Sequence, residues 1–436
     1  MTTTNNFYSR RRILSLAAAA SAAALSSACA GTQPIVAQDQ EGSGVLQFWS
    51  NHPGSSREIE QQLVAAWNQE NPRHPAELID AGSNYAELAQ KFNAALAGGQ
   101  LPDVIVAADT TWFNFAFTEA ITALDELWKE EKIASSSYVD TFLADYRYQD
   151  RHYGVPYSRS TPLMYWYTQD LEKAGLPTGR GPKTWQEFAQ SWGPKLREAT
   201  GKPALVVADG SNYLDWYFQG AFWTFGGAYS DGWKLRFTDP ATIKAGQFLQ
   251  QMVDQELISV VKDSANDFGI GNACGLLEST GSLGGLNKSA QGDFTTTFLP
   301  GPRPGTTTGG AGLAIPAGIS QERKKVAARF IDFMTSTQNT ITFTQQTGYM
   351  PVRKDAAQEP QQIEFLAKNP KAKTAIRQVS ENTKPQDYVR VFVNGANLAI
   401  GAALDKVVAG QDVAKVFQTL EQDLQKTIDR DITPYR

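Results

Sequence analysis

The sequence predicts an α/β fold resting on a buried parallel sheet, and three observations carry that reading. From residue 45 onward, short apolar runs alternate with longer runs whose apolar residues recur three to four apart. The third short run, "PDVIVA" (102–107), is apolar nearly throughout, as a strand covered on both faces must be. Serine, proline and glycine stand where one kind of run gives way to the next.

The elements follow in order. "VLQFWS" (45–50) reads as the first strand. "SSREIEQQLVAAWNQENP" sets Ile59, Leu63 and Trp67 on one helical face, with Ser55 or Ser56 to cap the start and Pro72 to stop it. "AELID" (76–80) is a second strand. "NYAELAQKFNAALAGG" carries Leu88, Phe92 and Leu96 on one face, and Gly98 is its expected stop. "PDVIVA" closes a βαβαβ unit with helices on both faces of the sheet. Ligands of such sheets lie beyond the carboxyl ends of the strands, which points to the turns at 81–85 and 107–111.

Bulk properties bound the function. At 436 residues, the chain is long enough for two domains with substantial cores. Hydrophobic residues at 42% and charged residues at 19% describe a globular protein. The first 28 residues hold three arginines and no acid, so their removal takes the side-chain charge from −5 to −8, a sign that argues against broad nucleic-acid binding. The three histidines, His52, His74 and His152, are scattered, and HExxH, paired CxxC, P-loop and GxSxG motifs are absent. No catalytic constellation is visible, and neither a metal nor a cofactor is expected.

Residues 1–28 read as an export signal: Arg10, Arg11 and Arg12 precede an alanine-rich apolar run that is too short to make a good membrane span. "SRRRILSL" fits a twin-arginine signal or an ordinary leader with an extra arginine. "ALSSACAGT" offers Cys29 as a lipidated first residue, although Leu25 stands four rather than three positions ahead of it; Ala28-Cys29-Ala30 also suits plain cleavage. Lipidation leaves Cys274 unpaired and tethers the protein to a membrane surface. A polar linker, 29–43, follows.

Several stretches carry chemistry. "NYLDWYFQGAFWTFGGAYSDGW" (212–233) places nine aromatics in twenty-two positions, with Tyr213, Trp216 and Tyr217 on one helical face. Core helix and pocket wall both fit it. "ESTGSLGG" presents Ser279 in either an anion-binding nest or a plain glycine-rich loop. Gly309 and Gly310 in "TTTGGAGLAIP" permit close backbone approach, and "QTGYMPV" offers the hydroxyl of Tyr349. "DYVRVF" sets Arg390 among apolar residues, as a phosphate ligand or as a structural partner of Asp387. Asp109 reads as a polar site residue, a helix N-cap ahead of "TTWFNFAF", or both.

"RHYGVPYSRSTPLMYWYTQDLEKAGLP" followed by "TWQEF" resembles the extracellular solute-binding proteins of ATP-driven importers, a group that includes the maltose-binding type. "FGGAYSDGW", "STGSLGG", "TGGAGLAIP", "QQTGYMPVRK" and "QDYVRVF" narrow the resemblance to actinobacterial lipoproteins that bind glycerophosphodiesters and glycerol-3-phosphate. It implies a two-lobed α/β fold of the periplasmic-binding type with a cleft between lobes. Lobe 1 is expected over 44–160 with 313–360, and lobe 2 over 161–312 with 361–436.

The resemblance also implies roles. Trp216 packs on the ligand, with Tyr213 at its outer end, and Ser160, Ser279, Gly310, Tyr349 and Arg390 surround the phosphate. Tyr85 and Asp109 serve the glycerol, Asp109 accepting from its hydroxyls. Glycerophosphocholine is the favoured ligand, and its quaternary ammonium suits a ring face. The remaining aromatics of 212–233 are expected in the core. The partners implied are a small phosphodiester or phosphomonoester, the permease subunits of the importer and, through the lipid anchor, the membrane. A monomer is expected. Val413, Val416, Phe417, Leu420, Leu424 and Ile428 form a helical stripe for lobe 2. "NPKAKTAIRQVSENTKPQ" (369–386) reads as a mobile polar connector. Two rivals stay open: a sugar-binding protein of a carbohydrate importer, which would have no need of Arg390, and a secreted phosphodiester hydrolase.

Overall fold

The computed structural model describes residues 44–52 and 54–435. The expected leader (1–28), linker (29–43) and Cys29 lie outside them. β1 (Leu46–Ser50), α1 (Gly54–Glu70), β2 (Ala76–Asp80), α2 (Tyr85–Gly98) and β3 (Val104–Ala108) form in the order read from periodicity. α1 starts at Gly54, ahead of the serines expected to cap it. At α2, the Asn84 side chain accepts from the Glu87 N–H at 3.0 Å, and Gly99, one residue past the expected stop, ends the helix at φ 74°.

The chain continues through α3 (Trp112–Phe117) and β4 (Val155–Ser160). A single residue, Thr161, then separates β4 from β5 (Pro162–Tyr167), where the chain passes from one sheet to another. There follow β6 (Leu205–Ala208), α4 (Leu214–Tyr217), α5 (Gln219–Thr224), β7 (Ile258–Val261), α6 (Ser264–Gly269), β8 (Gly275–Ser279), α7 (Leu283–Ser289) and β9 (Phe294–Thr297). β10 (Gly309–Ala314) returns to the first sheet. The boundary expected at 313 therefore falls inside a strand that already pairs with β3 and β4 from its first residues.

The sheet orders are β2-β1-β3-β10-β4 and β7-β6-β8-β5-β9. Neither is wholly parallel: β10 and β5, fourth in each, run against both neighbours. The reason is geometric. The parallel strands end at the cleft, and a strand arriving from the other lobe must start there, so it runs the opposite way.

α8 (Gln321–Met334) and α9 (Thr337–Thr347) pack on α1. The segment expected to be a mobile connector instead forms α10 (Pro370–Asn382). Two of its polar side chains, Gln378 and Asn382, are buried and serve backbone groups of other segments rather than solvent. Gln378 Oε1 accepts from the Leu299 N–H at 2.8 Å, Gln378 Nε2 donates to the Pro162 carbonyl, and Asn382 Oδ1 accepts from the Gly305 N–H at 2.8 Å. After α11 (Tyr388–Phe392) and α12 (Ala396–Val408) comes α13 (Val413–Asp431), whose six-residue apolar stripe is buried in the second core. No helix among the described residues is long and apolar enough to cross a membrane.

Gly310 joins fold and cleft. It holds φ 117°, and a Cβ there would lie 1.9 Å from the Ser158 carbonyl oxygen of β4. Any side chain must push β10 off β4. We therefore expect Gly310→Ala to cost on the order of 3 kcal/mol, measured by urea unfolding.

Candidate functional site

A cavity of about 470 Å³ lies where the strands of both sheets end. All nine residues singled out from the sequence line it: Tyr85, Asp109, Ser160, Tyr213, Trp216, Ser279, Gly310, Tyr349 and Arg390. The sheet rule accounts for four of them: Tyr85 follows β2, Asp109 follows β3, Ser160 ends β4 and Ser279 ends β8, while Gly310 is the second residue of β10.

Arg390 is 3% exposed and does pair with an acid, but the acid is Asp215. Its Nε donates to Asp215 Oδ2 at 2.6 Å and its Nη1 to Gln386 Oε1. Asp387 is engaged elsewhere, accepting from the N–H and Oγ of Ser230 and from the Val389 N–H at the start of α11. Nη2 has no such partner among the described residues, which leaves it available to the cavity. Burial raises the Asp215 carboxyl above its ordinary range, and the adjacent guanidinium opposes that rise.

Gln386 Nε2 reaches across the cleft to Asp109 Oδ2 at 2.7 Å. Asp109 Oδ1 accepts from Tyr146 Oη at 2.8 Å and from Arg159 Nη1 at 2.5 Å. Arg159, fully buried, also pairs with Asp145. Three of the roughly four acceptor positions on Asp109 are thus filled, leaving room for one further donor. Asp109 does not cap α3; Thr111 holds that position, without a side-chain bond.

The aromatic stretch is not one helix. Tyr213 has φ 79° and stands between a short turn and α4, and α4 breaks into α5 after Tyr217. Tyr213 and Trp216 reach the cavity as expected, and so does Tyr217, whose hydroxyl donates to the buried Glu278. Phe218 and Phe222 are core, and Phe225 packs partly buried against the same cluster. Trp216 Nε1 donates to the Thr308 carbonyl at 3.1 Å, tying the ring to a crossing segment.

"ESTGSLGG" does not form an open nest. The Ser279 amide bonds Glu278 Oε1, the Thr280 amide bonds the Thr161 carbonyl, and the Gly281 amide bonds Ser279 Oγ. Its donor toward the cavity is the Ser279 hydroxyl. Gly281 sits under Tyr349, where an added Cβ would lie 2.6 Å from the ring. Burial pushes the phenols of Tyr85 and Tyr349 well above their ordinary values, so both remain protonated donors. The Tyr85 N–H donates across the cleft to Tyr213 Oη at 3.2 Å, so the two lobes touch around the cavity.

Sequence reasoning missed Asn51, His52, Glu278 and Gln386 in the wall, together with Asp215 behind Arg390. Gln386 stood four residues before Arg390, the spacing of helical neighbours, and Asp215 was the lone acid beside Trp216. His52 is held by Glu60 at 2.7 Å, and both are buried.

Residues 62–375 match the family model described as bacterial extracellular solute-binding protein. That span exceeds half the chain. The chain belongs to the bacterial extracellular solute-binding proteins. Among solved structures, this solute-binding protein is 45% identical to UgpB from Mycobacterium tuberculosis, crystallised in complex with glycerophosphocholine. The match covers 90% of this chain and 100% of that one, with a TM-score of 0.86. The sn-glycerol-3-phosphate-binding periplasmic protein UgpB of Escherichia coli (strain K12) is 26% identical over 409 residues, covering 88% of this chain and 91% of that protein. Maltose-bound T. maritima MalE3, at 20% identity and a TM-score of 0.76 over 88% of this chain and 99% of that one, shares the two-lobed fold.

The Asp215–Arg390 pair yields a stability test. Asp215→Ala leaves a buried guanidinium without its counter-charge and is expected to cost about 3–5 kcal/mol in urea unfolding. Adding Arg390→Met should recover part of that loss. Equal or greater instability in the double variant would mean the two residues are not coupled.

Proposed function

We propose that this protein is the capture subunit of an ATP-driven importer. It takes glycerophosphodiesters, glycerophosphocholine foremost, or sn-glycerol-3-phosphate into the interlobe cleft and delivers them to the permease. One observation carries the ligand class: a buried arginine whose Nη2 has no partner among the described residues lines the same cavity as Ser279 and Tyr349. In an acidic protein, that cluster selects an anion locally. The 45% identity to a protein crystallised with glycerophosphocholine supports the same class.

In this reading, phosphate oxygens meet Arg390 Nη2, Ser279, Tyr349, Ser160 and the backbone at Gly310. Glycerol lies between Trp216 and Tyr85, with one hydroxyl on the open position of Asp109. Tyr213 stands where the ligand's outer end emerges. The ligand touches both lobes and so favours the closed form by its differential affinity for that form. The permease subunits are the partners that receive the closed protein. Residues 1–28 act as the export signal, and a lipid on Cys29 holds the protein at the outer face of the membrane.

Calorimetric titration tests this directly. Glycerophosphocholine or glycerol-3-phosphate should bind, while maltose should give no heat. Arg390→Lys retains a charge for Asp215 but loses the guanidinium fork. It should weaken binding by about tenfold or more with little change in melting temperature. Unchanged affinity in that variant would reject the phosphate assignment.

A further inference from the structure

The bond between Gln386 and Asp109 joins parts of the chain that pack in different cores. Asp109 directly follows β3 of the first sheet. Gln386 stands just ahead of α11, and the backbone beside it is anchored on the other side of the cleft. There the Asp387 N–H donates to Gln219 Oε1, and the Asp387 carboxylate accepts from Ser230. Val389 and Val393, on either side of Arg390, are buried in the second core. Gln386 itself is half-buried and lines the cavity.

The chemistry of its two partners fixes which way its amide points. A carboxylate only accepts and a guanidinium only donates. Both bonds therefore form only with Nε2 toward Asp109, at 2.7 Å, and Oε1 toward Arg390 Nη1. Asp215 holds Arg390 at Nε, and about that one bond a planar guanidinium can still pivot. The second bond, at Nη1, removes that freedom and sets the direction of Nη2.

Another contact across the cleft lies two residues beyond Arg390. Phe392 packs against the first core, with its ring centre 4.8 Å from that of Phe113 in α3 and the rings at 80°. The short helix that carries Arg390 thus meets the other lobe both before and after the arginine.

We infer that Gln386 is a positioning residue: by tying Arg390 to Asp109 across the closed cleft, it aims the guanidinium at the phosphate, so that closure completes the anion site. When the lobes part, Asp109 leaves, and its hold on the direction of the amide goes with it. Phosphate bound to the open form then meets a guanidinium held at Nε alone. Closure and phosphate recognition reinforce each other through this one side chain. The inference rests on the phosphate reading of the cleft given above.

The test is a double-mutant cycle, read by calorimetry of the purified protein with glycerol-3-phosphate and glycerophosphocholine. Gln386→Met keeps the length of the side chain and removes both ends of the bridge. It is expected to weaken both ligands by about tenfold in the unaltered background. In the Arg390→Lys background, where there is no fork to aim, the same substitution should cost less than about threefold. A role confined to stability, or to holding the lobes together, would give the same factor in both backgrounds and overturn the inference. So would a loss of less than about twofold in the unaltered background. Gln386→Asn keeps the amide but, one carbon shorter, cannot span both partners, and it should lose as much as Gln386→Met; full affinity in it would also overturn the inference. If neither ligand binds the unaltered protein, the ligand reading itself falls and this inference falls with it.

Discussion

A line of alternating charge runs through the molecule from one core to the other. Asp215 holds Arg390, Arg390 holds Gln386, Gln386 reaches Asp109, and Asp109 and Asp145 hold Arg159. Each ion on this line has an opposite neighbour, so none of them carries the full desolvation cost of an isolated charge. The neutral amide of Gln386 is the link that spans the cleft. Its two ends differ, one accepting and one donating, so it can join a cation on one lobe to an anion on the other.

That arrangement explains how an acidic protein can keep a site for an anion. Arg390 is engaged on two of its nitrogens, by the Asp215 carboxylate and the Gln386 amide oxygen, which fixes its plane, and the third is left for the cavity. The same logic limits Asp109. With three donors already on its carboxylate, it can distinguish a single hydroxyl rather than grip several. Aromatic rings and close backbone contacts complete the enclosure. Gly281 lets lobe 2 slide beneath Tyr349, and Trp216 is pinned to the segment that crosses between lobes.

Much of this was legible along the chain. The βαβαβ unit, its capping glycine region, the apolar stripe of α13 and nine of the residues that line the cavity followed from spacing, turn chemistry and family resemblance. Three readings failed for a shared reason. The stretch 369–386 looked like a solvated connector because its buried polar residues, Gln378 and Asn382, show no partners in the sequence; they bind backbone groups more than 70 residues away. Arg390 seemed to have Asp387 beside it, yet its acid lies 175 positions back. The amides of 279–281 looked free for an anion and are engaged within the fold.

By itself, the sequence determined the class of the protein, the places where strands end and the residue types that meet there, because these depend on local period and on chemistry carried by each side chain. Tertiary structure alone decided which atoms remain unengaged. The unengaged Nη2 of Arg390 and the last acceptor position of Asp109 are what is left after long-range partners have been satisfied. Hydrogen bonds saturate, so what a site can still bind depends on what distant parts of the chain have already taken.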